Sequence, residues 1–116
     1  VLYKREKEGL LDDEAFACEW AATRARHQIG RGRILRELVH KGVSRDVAER
    51  AVDALDREEG DAAALALAQK LLHRYAGEPD AKKAMAKLMA AMARRGYDFE
   101  SAHRAVEQAL EEAQGE

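Results

Sequence analysis

Cysteine and proline each occur once in these 116 residues, and aromatic side chains make up only 5% of them. Each scarcity excludes something. Cys18 has no partner for an intrachain disulfide. No apolar run approaches the ~20 residues that a membrane-spanning helix needs, and no signal peptide or lipidation motif is visible. A reducing, cytoplasmic protein with no membrane contact is therefore expected. With one proline and few β-branched residues, a sheet is disfavoured and an all-α protein is expected.

Catalytic equipment is also short. His27, His40, His73 and His103 are scattered, one to a region. The His103–Glu107 pair at i, i+4 reads as a surface pair. Cys18 lies in a helical stretch with no adjacent base, and Asp12, Asp13 and Glu14 read as a helix start before they read as ligands. Four metal ligands are not in view. Gly30-Arg31-Gly32 lacks the preceding strand and the spacing of a phosphate loop, and it reads as a hinge with flexible basic flanks. Phosphate, if bound there, would meet Arg31 and Arg33 as a nucleic-acid backbone contact. These features predict no enzyme, no metal and no cofactor.

What is abundant is charge, at 36% of residues, with a net value of only −2. It is segregated. Residues 24–45 hold seven basic side chains and one acid, and residues 70–95 hold seven basic side chains and two acids. Asp53–Asp61 and Asp98–Glu116 are acidic. Either an anionic partner lies along the basic stretches, or they are solvated helix faces.

The helical pattern is punctuated by glycine. Val1–Glu8 reads as the last turns of a helix, with Val1 and Leu2 inward, Tyr3 a further candidate, and Gly9 ending it. Leu10 and Leu11 then sit buried at the turn. A start without Met reads as a fragment or a processed form. Asp12 or Asp13 is expected to cap a helix reaching about His27, with Phe16 and Trp20 on its apolar face beside Ala17 and Ala21. Trp20 is read as a core anchor; a base-stacking role would require it to be exposed. A short helix over Gly32–Lys41 follows, with Ile34, Leu38 and either Leu35 or Val39 inward. Glu37 is spaced to pair with Arg33 and with Lys41.

Gly42 is placed for a left-handed C′ turn, Val43 fills the gap, and Ser44 caps the next helix. Val47, Ala48, Ala51, Val52 and Leu55 share one face of that helix, which fades over Asp56–Glu59 and stops at Gly60. Asp61 is expected to cap the next, with Leu65, Ala68, Leu72 and Tyr75 as its main stripe and Leu67 and Leu71 widening it. After the break at Gly77-Glu78-Pro79, Asp80 caps a helix to Arg95 with Ala84, Met85, Leu88 and Met92 inward. Gly96 ends that helix, and Asp98 caps the last, where Phe99, Ala102, Val106 and Leu110 face in and Glu111–Glu116 frays.

The plan repeats. Aligning Lys41-Gly42-Val43 with Arg95-Gly96-Tyr97, an offset of 54, pairs Ile34 with Leu88 and Leu38 with Met92. Ala48, Arg50, Ala51 and Val52 then meet identical residues at Ala102, Arg104, Ala105 and Val106. The expected architecture is a set of tandem three-helix, helix-turn-helix-like repeats in an elongated array. Residues 1–10 would close an earlier repeat, 11–59 and 60–113 would be repeats, and 114–116 a tail.

Gly9-Leu10-Leu11-Asp12-Asp13, then Phe16, Trp20 and Arg24, resembles the RecX family of bacterial recombination regulators. The strongest likeness is the run Gly30 to Gly42 with Ile34, Glu37-Leu38 and Lys41-Gly42-Val43. Ala81-Lys82-Lys83-Ala84 and Arg94-Arg95-Gly96-Tyr97 are similar to the last repeat of that family. The likeness covers nearly the whole chain through the order and spacing of its motifs. It implies a non-enzymatic regulator that binds the RecA recombinase filament and restrains strand exchange, ATP hydrolysis and co-protease activity in DNA repair and the SOS response. Of the first family repeat, only the final helix is visible.

The contact candidates are the basic positions Arg24, Arg31, Arg33, Arg36 and Lys41 in one unit, and Lys82, Lys83, Lys87, Arg94 and Arg95 in the next. A monomer is expected, with single-stranded DNA as a further partner. The rival reading is a nonspecific DNA-binding helical module. Ile34–Leu55 resembles a helix-turn-helix, but its second helix offers Arg45 followed by Asp46, Glu49 and Asp53, which would meet phosphates poorly.

Overall fold

The computed structural model describes residues 9–115, which form six helices and no strand. Three make the first unit: α1 (Gly9–Arg26), α2 (Arg31–His40) and α3 (Arg45–Asp53). Three make the second: α4 (Arg57–Arg74), α5 (Ala81–Arg94) and α6 (Phe99–Gln114).

Local chemistry sets most of the boundaries. Ser44 caps α3 by accepting from the Val47 amide at 3.3 Å, and Asp98 caps α6 by accepting from Ser101 at 2.7 Å. Asp80 caps α5 through the amides of Lys82 and Lys83. At the other ends one closure recurs. Gly42 and Gly96 take φ of 98° and 101°, and each donates to the carbonyl three residues back. The following Val43 and Tyr97 donate to Leu38 and Met92, bringing an apolar side chain over the last turn. α1 closes the same way with Gln28 at φ 63°, a position where the sequence carries no glycine.

Each unit has its own core. Ala17, Ala21, Ile34, Leu38, Ala48 and Val52 centre the first; Ala68, Leu71, Leu88, Met92, Ala105 and Val106 centre the second. Alanine along these seams lets helices approach closely, at the cost of little apolar area per residue. In each unit the third helix is tied back to the first by an exposed ion pair: Arg50 to Glu14 at 3.0 Å, and Arg104 to Asp61 at 3.8 Å. Two small cores in a line give an elongated body of 57 × 23 × 18 Å with a radius of gyration of 16.9 Å. A compact chain of this length would have a radius of about 13 Å.

Several expectations are corrected. Gly9 does not end a helix and neither Asp12 nor Asp13 caps one: all three lie within α1. The readings of Val1–Glu8, and of the side chains of Leu10 and Leu11, fall outside the described residues. α3 ends at Asp53. Asp56, not Asp61, caps α4, accepting from Glu58 at 2.8 Å and Glu59 at 3.4 Å. Two glutamates in that first turn favour the helix dipole, so α4 starts early and absorbs Gly60. Its buried stripe is Ala64, Leu67, Ala68 and Leu71, with Leu65, Leu72 and Tyr75 at the edge.

On α2, Leu35 packs and Val39 is exposed. Phe16 and Met85 are also exposed, and Trp20 is only half-buried. Phe99 is 71% exposed and stacks on His103. At the first helical position it stays outside the core, with its ring along the exposed face of α6. α6 remains helical to Gln114 rather than fraying at Glu111.

Glycine substitutions should separate strain from propensity. A Cβ at Gly96 would stand 2.4 Å from that of Arg33, at a backbone angle that side chains avoid. Gly96→Ala is expected to cost about 2–4 kcal/mol. Gly60→Ala, in α4 with open space around it, should gain about 0.5–1 kcal/mol. Urea unfolding followed by circular dichroism checks both.

Candidate partner-binding surface

The two units meet along α1 and α4, with a Lys70–Gln28 hydrogen bond at 3.3 Å, and, most directly, through backbone. The N-terminal end of α2 abuts the C-terminal end of α5: Gly30 donates to the Arg95 carbonyl at 2.7 Å, and Gly32 to the Gly96 carbonyl at 3.1 Å. Arg33 Nη1 adds a bond to the Arg94 carbonyl at 3.3 Å. The positive end of one helix dipole thus meets the negative end of another, and orphan groups of both helices are satisfied at once. The approach requires glycine, because a Cβ at Gly30 would lie 2.4 Å from the Gly96 carbonyl carbon. Gly30-Arg31-Gly32 is therefore a clasp and not the expected hinge. Sequence shows a glycine's freedom but not the neighbour that uses up its space.

Beside the clasp, on the first unit, Glu37 gathers four hydrogen bonds. It accepts from Arg24 at 3.0 and 2.7 Å, from Trp20 Nε1 at 3.0 Å and from Arg33 Nε at 3.3 Å. Arg24, and then Trp20, holds the Glu37 carboxyl below the ordinary carboxylate range, and the same contact raises Arg24. The Lys41 ammonium lies 4.4 Å over the Trp20 ring rather than pairing with Glu37 as expected.

The structure thus divides the predicted basic positions. Arg24, Arg33 and Lys41 are spent on the Glu37–Trp20 cluster. Arg31 donates to the Leu55 carbonyl at 3.1 Å. Lys87 pairs with Glu78 at 2.9 Å and holds that carboxyl low. Arg95 is half-buried beside Tyr97, whose hydroxyl burial pushes up to about 12. Arg36, Lys82, Lys83 and Arg94 have exposed side chains. Cys18 is exposed, and no group of metal-ligating side chains is present among the described residues. No described helix is long and apolar enough to cross a membrane. On α3, Arg45 turns to Glu49 at 3.1 Å, leaving Asp46 and Asp53 exposed where a recognition helix would face DNA.

Between the units, next to the clasp, lies a cleft of about 530 Å³. Its lining includes Arg31 and Arg36, which the sequence suggested. It also includes Arg26, Arg57 and Arg104, which were not singled out as sites. Arg26 belongs to the basic stretch 24–45, and Arg104 matches Arg50 in the repeat alignment; Arg57 carries no signal in the sequence.

Two family models match this architecture unit by unit. One, described as "RecX, second three-helix domain", covers residues 12–52; the other, "RecX, third three-helix domain", covers 58–106. The chain belongs to the RecX family. Between the two RecX domains lie the end of α3 and the Asp56 cap of α4. The RecX relatives carry the name "Regulatory protein RecX". That of Streptomyces coelicolor is 38% identical over 113 residues, covering 97% of this chain and 60% of its own length. That of Thermobifida fusca is 34% identical over 112 residues, covering 96% and 60%. That of Clostridium botulinum is 33% identical over 101 residues, covering 86% and 47%. The chain thus spans about 60% of the length of the first of these relatives. No solved structure matches it.

The Glu37 cluster makes a pH-dependent contribution. A carboxylate with a lowered folded-state pKa stabilises fully above its unfolded value of about 4.3, and that stabilisation is lost as pH falls through the lower folded one. Glu37→Gln should therefore cost about 1–2 kcal/mol at pH 7. The gap from the wild type should close in acid, as measured by urea unfolding across a pH series.

Proposed function

We propose that this chain is the filament-engaging arm of a RecX regulator, binding the RecA recombinase filament and restraining strand exchange, ATP hydrolysis and co-protease activity. Family membership supports the regulatory role. The observation that supports the mode of action is the clasp: two units joined by backbone hydrogen bonds form an elongated 57 Å body, a shape suited to lying along a filament. Such a body acts by occupancy, as a regulator rather than an enzyme. Lying in the groove, it excludes a second DNA strand and links subunits whose motion accompanies ATP turnover. Contacts that are individually weak add along its length. It works as a monomer, in the cytoplasm alongside the recombinase, during DNA repair and the SOS response.

Arg36, Lys82, Lys83 and Arg94 are the side chains proposed for the contact, to acidic protein surface and to single-stranded DNA held in the filament. Arg24, Arg33 and Lys41 hold the first unit together instead. ATP turnover by recombinase filaments is expected to fall as this protein is added; unchanged turnover at saturation overturns the reading. Reversing Arg36 and Arg94 to Glu should weaken filament binding about tenfold or more with helicity intact. Binding to DNA alone, equally tight and steeply salt-dependent, would instead favour a nonspecific nucleic-acid module.

A further inference from the structure

We infer that the inter-unit cleft is a docking site for an acidic, extended peptide segment carrying small apolar side chains. Its floor comes from both units and consists of small or apolar groups, including Ala25, Ile29, Gly30, Ala64, Ala93 and Gly96. Five arginines line it: Arg26, Arg31, Arg36, Arg57 and Arg104. It also holds four carboxylates: Asp56 and Asp98, which accept from helix N-terminal amides and keep their charge, Asp61, which faces Arg104 at 3.8 Å, and Glu59. Arg26, Arg36 and Arg57 have no ion-pair partner among the described residues. Arg31 bonds only a carbonyl, so its charge is not neutralised. The cleft therefore combines an apolar floor with three arginines that no ion pair ties down, in a lining where arginines outnumber carboxylates by five to four, the chemistry that retains a carboxylate-bearing segment.

A polynucleotide suits it less. The four carboxylates of the lining would repel a phosphate placed at every step, whereas a peptide can space its acids to meet the arginines alone. The one aromatic side chain in the lining, Tyr97, is half-buried against its own unit's core, so successive bases would find a single, partly covered ring to stack on. A peptide avoids both problems: its carboxylates meet the arginines, its amides can donate to Glu59, and its alanine- or valine-sized side chains fit the floor. The clasp underlies this site, because the cleft's width depends on how α2 and α5 abut. The inference goes beyond the filament reading, since a free peptide tests it without any recombinase.

The test is fluorescence anisotropy of a labelled peptide composed of Asp, Glu, Ala and Val, titrated with the intact chain at low ionic strength. Saturable binding is expected, weakened at least about tenfold by Arg36→Glu with Arg57→Glu. Ala93→Trp, an exposed lining position, should also abolish it without changing charge. Lys82→Glu with Lys83→Glu, outside the cleft, should leave it within about twofold. Circular dichroism verifies that each variant keeps its helicity. Three results overturn the inference: no saturable binding, equal binding of a peptide with Lys in place of the acids, or equal losses in the Lys82 and Lys83 control. A thymidine oligonucleotide that binds where the peptide does not, and is weakened by the Arg36 and Arg57 reversal, assigns the cleft to nucleic-acid backbone and overturns it too.

Discussion

The contact on which the rest depends is the one between the first amides of α2 and the last carbonyls of α5. Gly30 and Gly32 lend N–H groups that a helix start cannot use internally; Arg95 and Gly96 lend carbonyls that a helix end cannot use internally. Neither unit alone would satisfy both sets except with water. Joined, they convert a shortfall at each helix end into a directional bond between units, and that bond fixes their relative orientation. The two buried clusters stay separate, each within its own unit, and α1 meets α4 beside the clasp, where Lys70 donates to Gln28 at 3.3 Å. Orientation in this chain thus draws on backbone hydrogen bonding and glycine-permitted proximity together with that helix contact.

Alanine explains why the cores are two and small. Ala17, Ala21, Ala48 and Ala51 in one seam, and Ala64, Ala68, Ala102, Ala105 and Ala109 in the other, bring helices close but bury little area each. Ile34 and Leu38, or Leu88 and Met92, supply the bulk from the middle helix of each unit. With so little apolar surface per unit, polar fastenings carry more of the structure. The Glu37 cluster is one: a half-buried carboxylate with four donors is stable only because every donor is positioned by packing around it. This is also why several cations that seemed available for a partner are not.

Much of the fold was legible because the relevant signals are local. Gly42 and Gly96 follow an apolar helical run and precede a capping Ser or Asp, and both turns have the expected positive φ. What failed was nonlocal or nearly degenerate. Arg24 looked outward-facing because its partner Glu37 lies thirteen residues away on another helix. Gln28 adopts a left-handed angle with no glycine or asparagine to announce it. Asp56 and Asp61 are both acceptable caps, and the choice between them turned on the paired glutamates after Asp56 against the modest cost of Gly60 within a helix. The arginine-lined cleft is drawn from both units, so no stretch of sequence contains it.

The two middle helices, equivalent by repeat, solve the same end problem differently, and the difference has a thermodynamic consequence. α5 begins with its own cap, Asp80, whose carboxylate accepts from Lys82 and Lys83. α2 begins with Gly30, which has no side chain to offer, and two of its first amides are satisfied by the other unit. The start of α5 is thus satisfied within its own unit, whereas the start of α2 is complete only when the second unit is folded and in place. In a repeat array where stability is a sum of unit and interface terms, this makes the interface term part of the first unit's own secondary structure. Loosening the clasp would release not only the angle between the units but also the first turn of α2. That turn positions Arg31, Arg33 and, one turn on, Arg36, so the exposed chemistry of the first unit is coupled to the folding of the second.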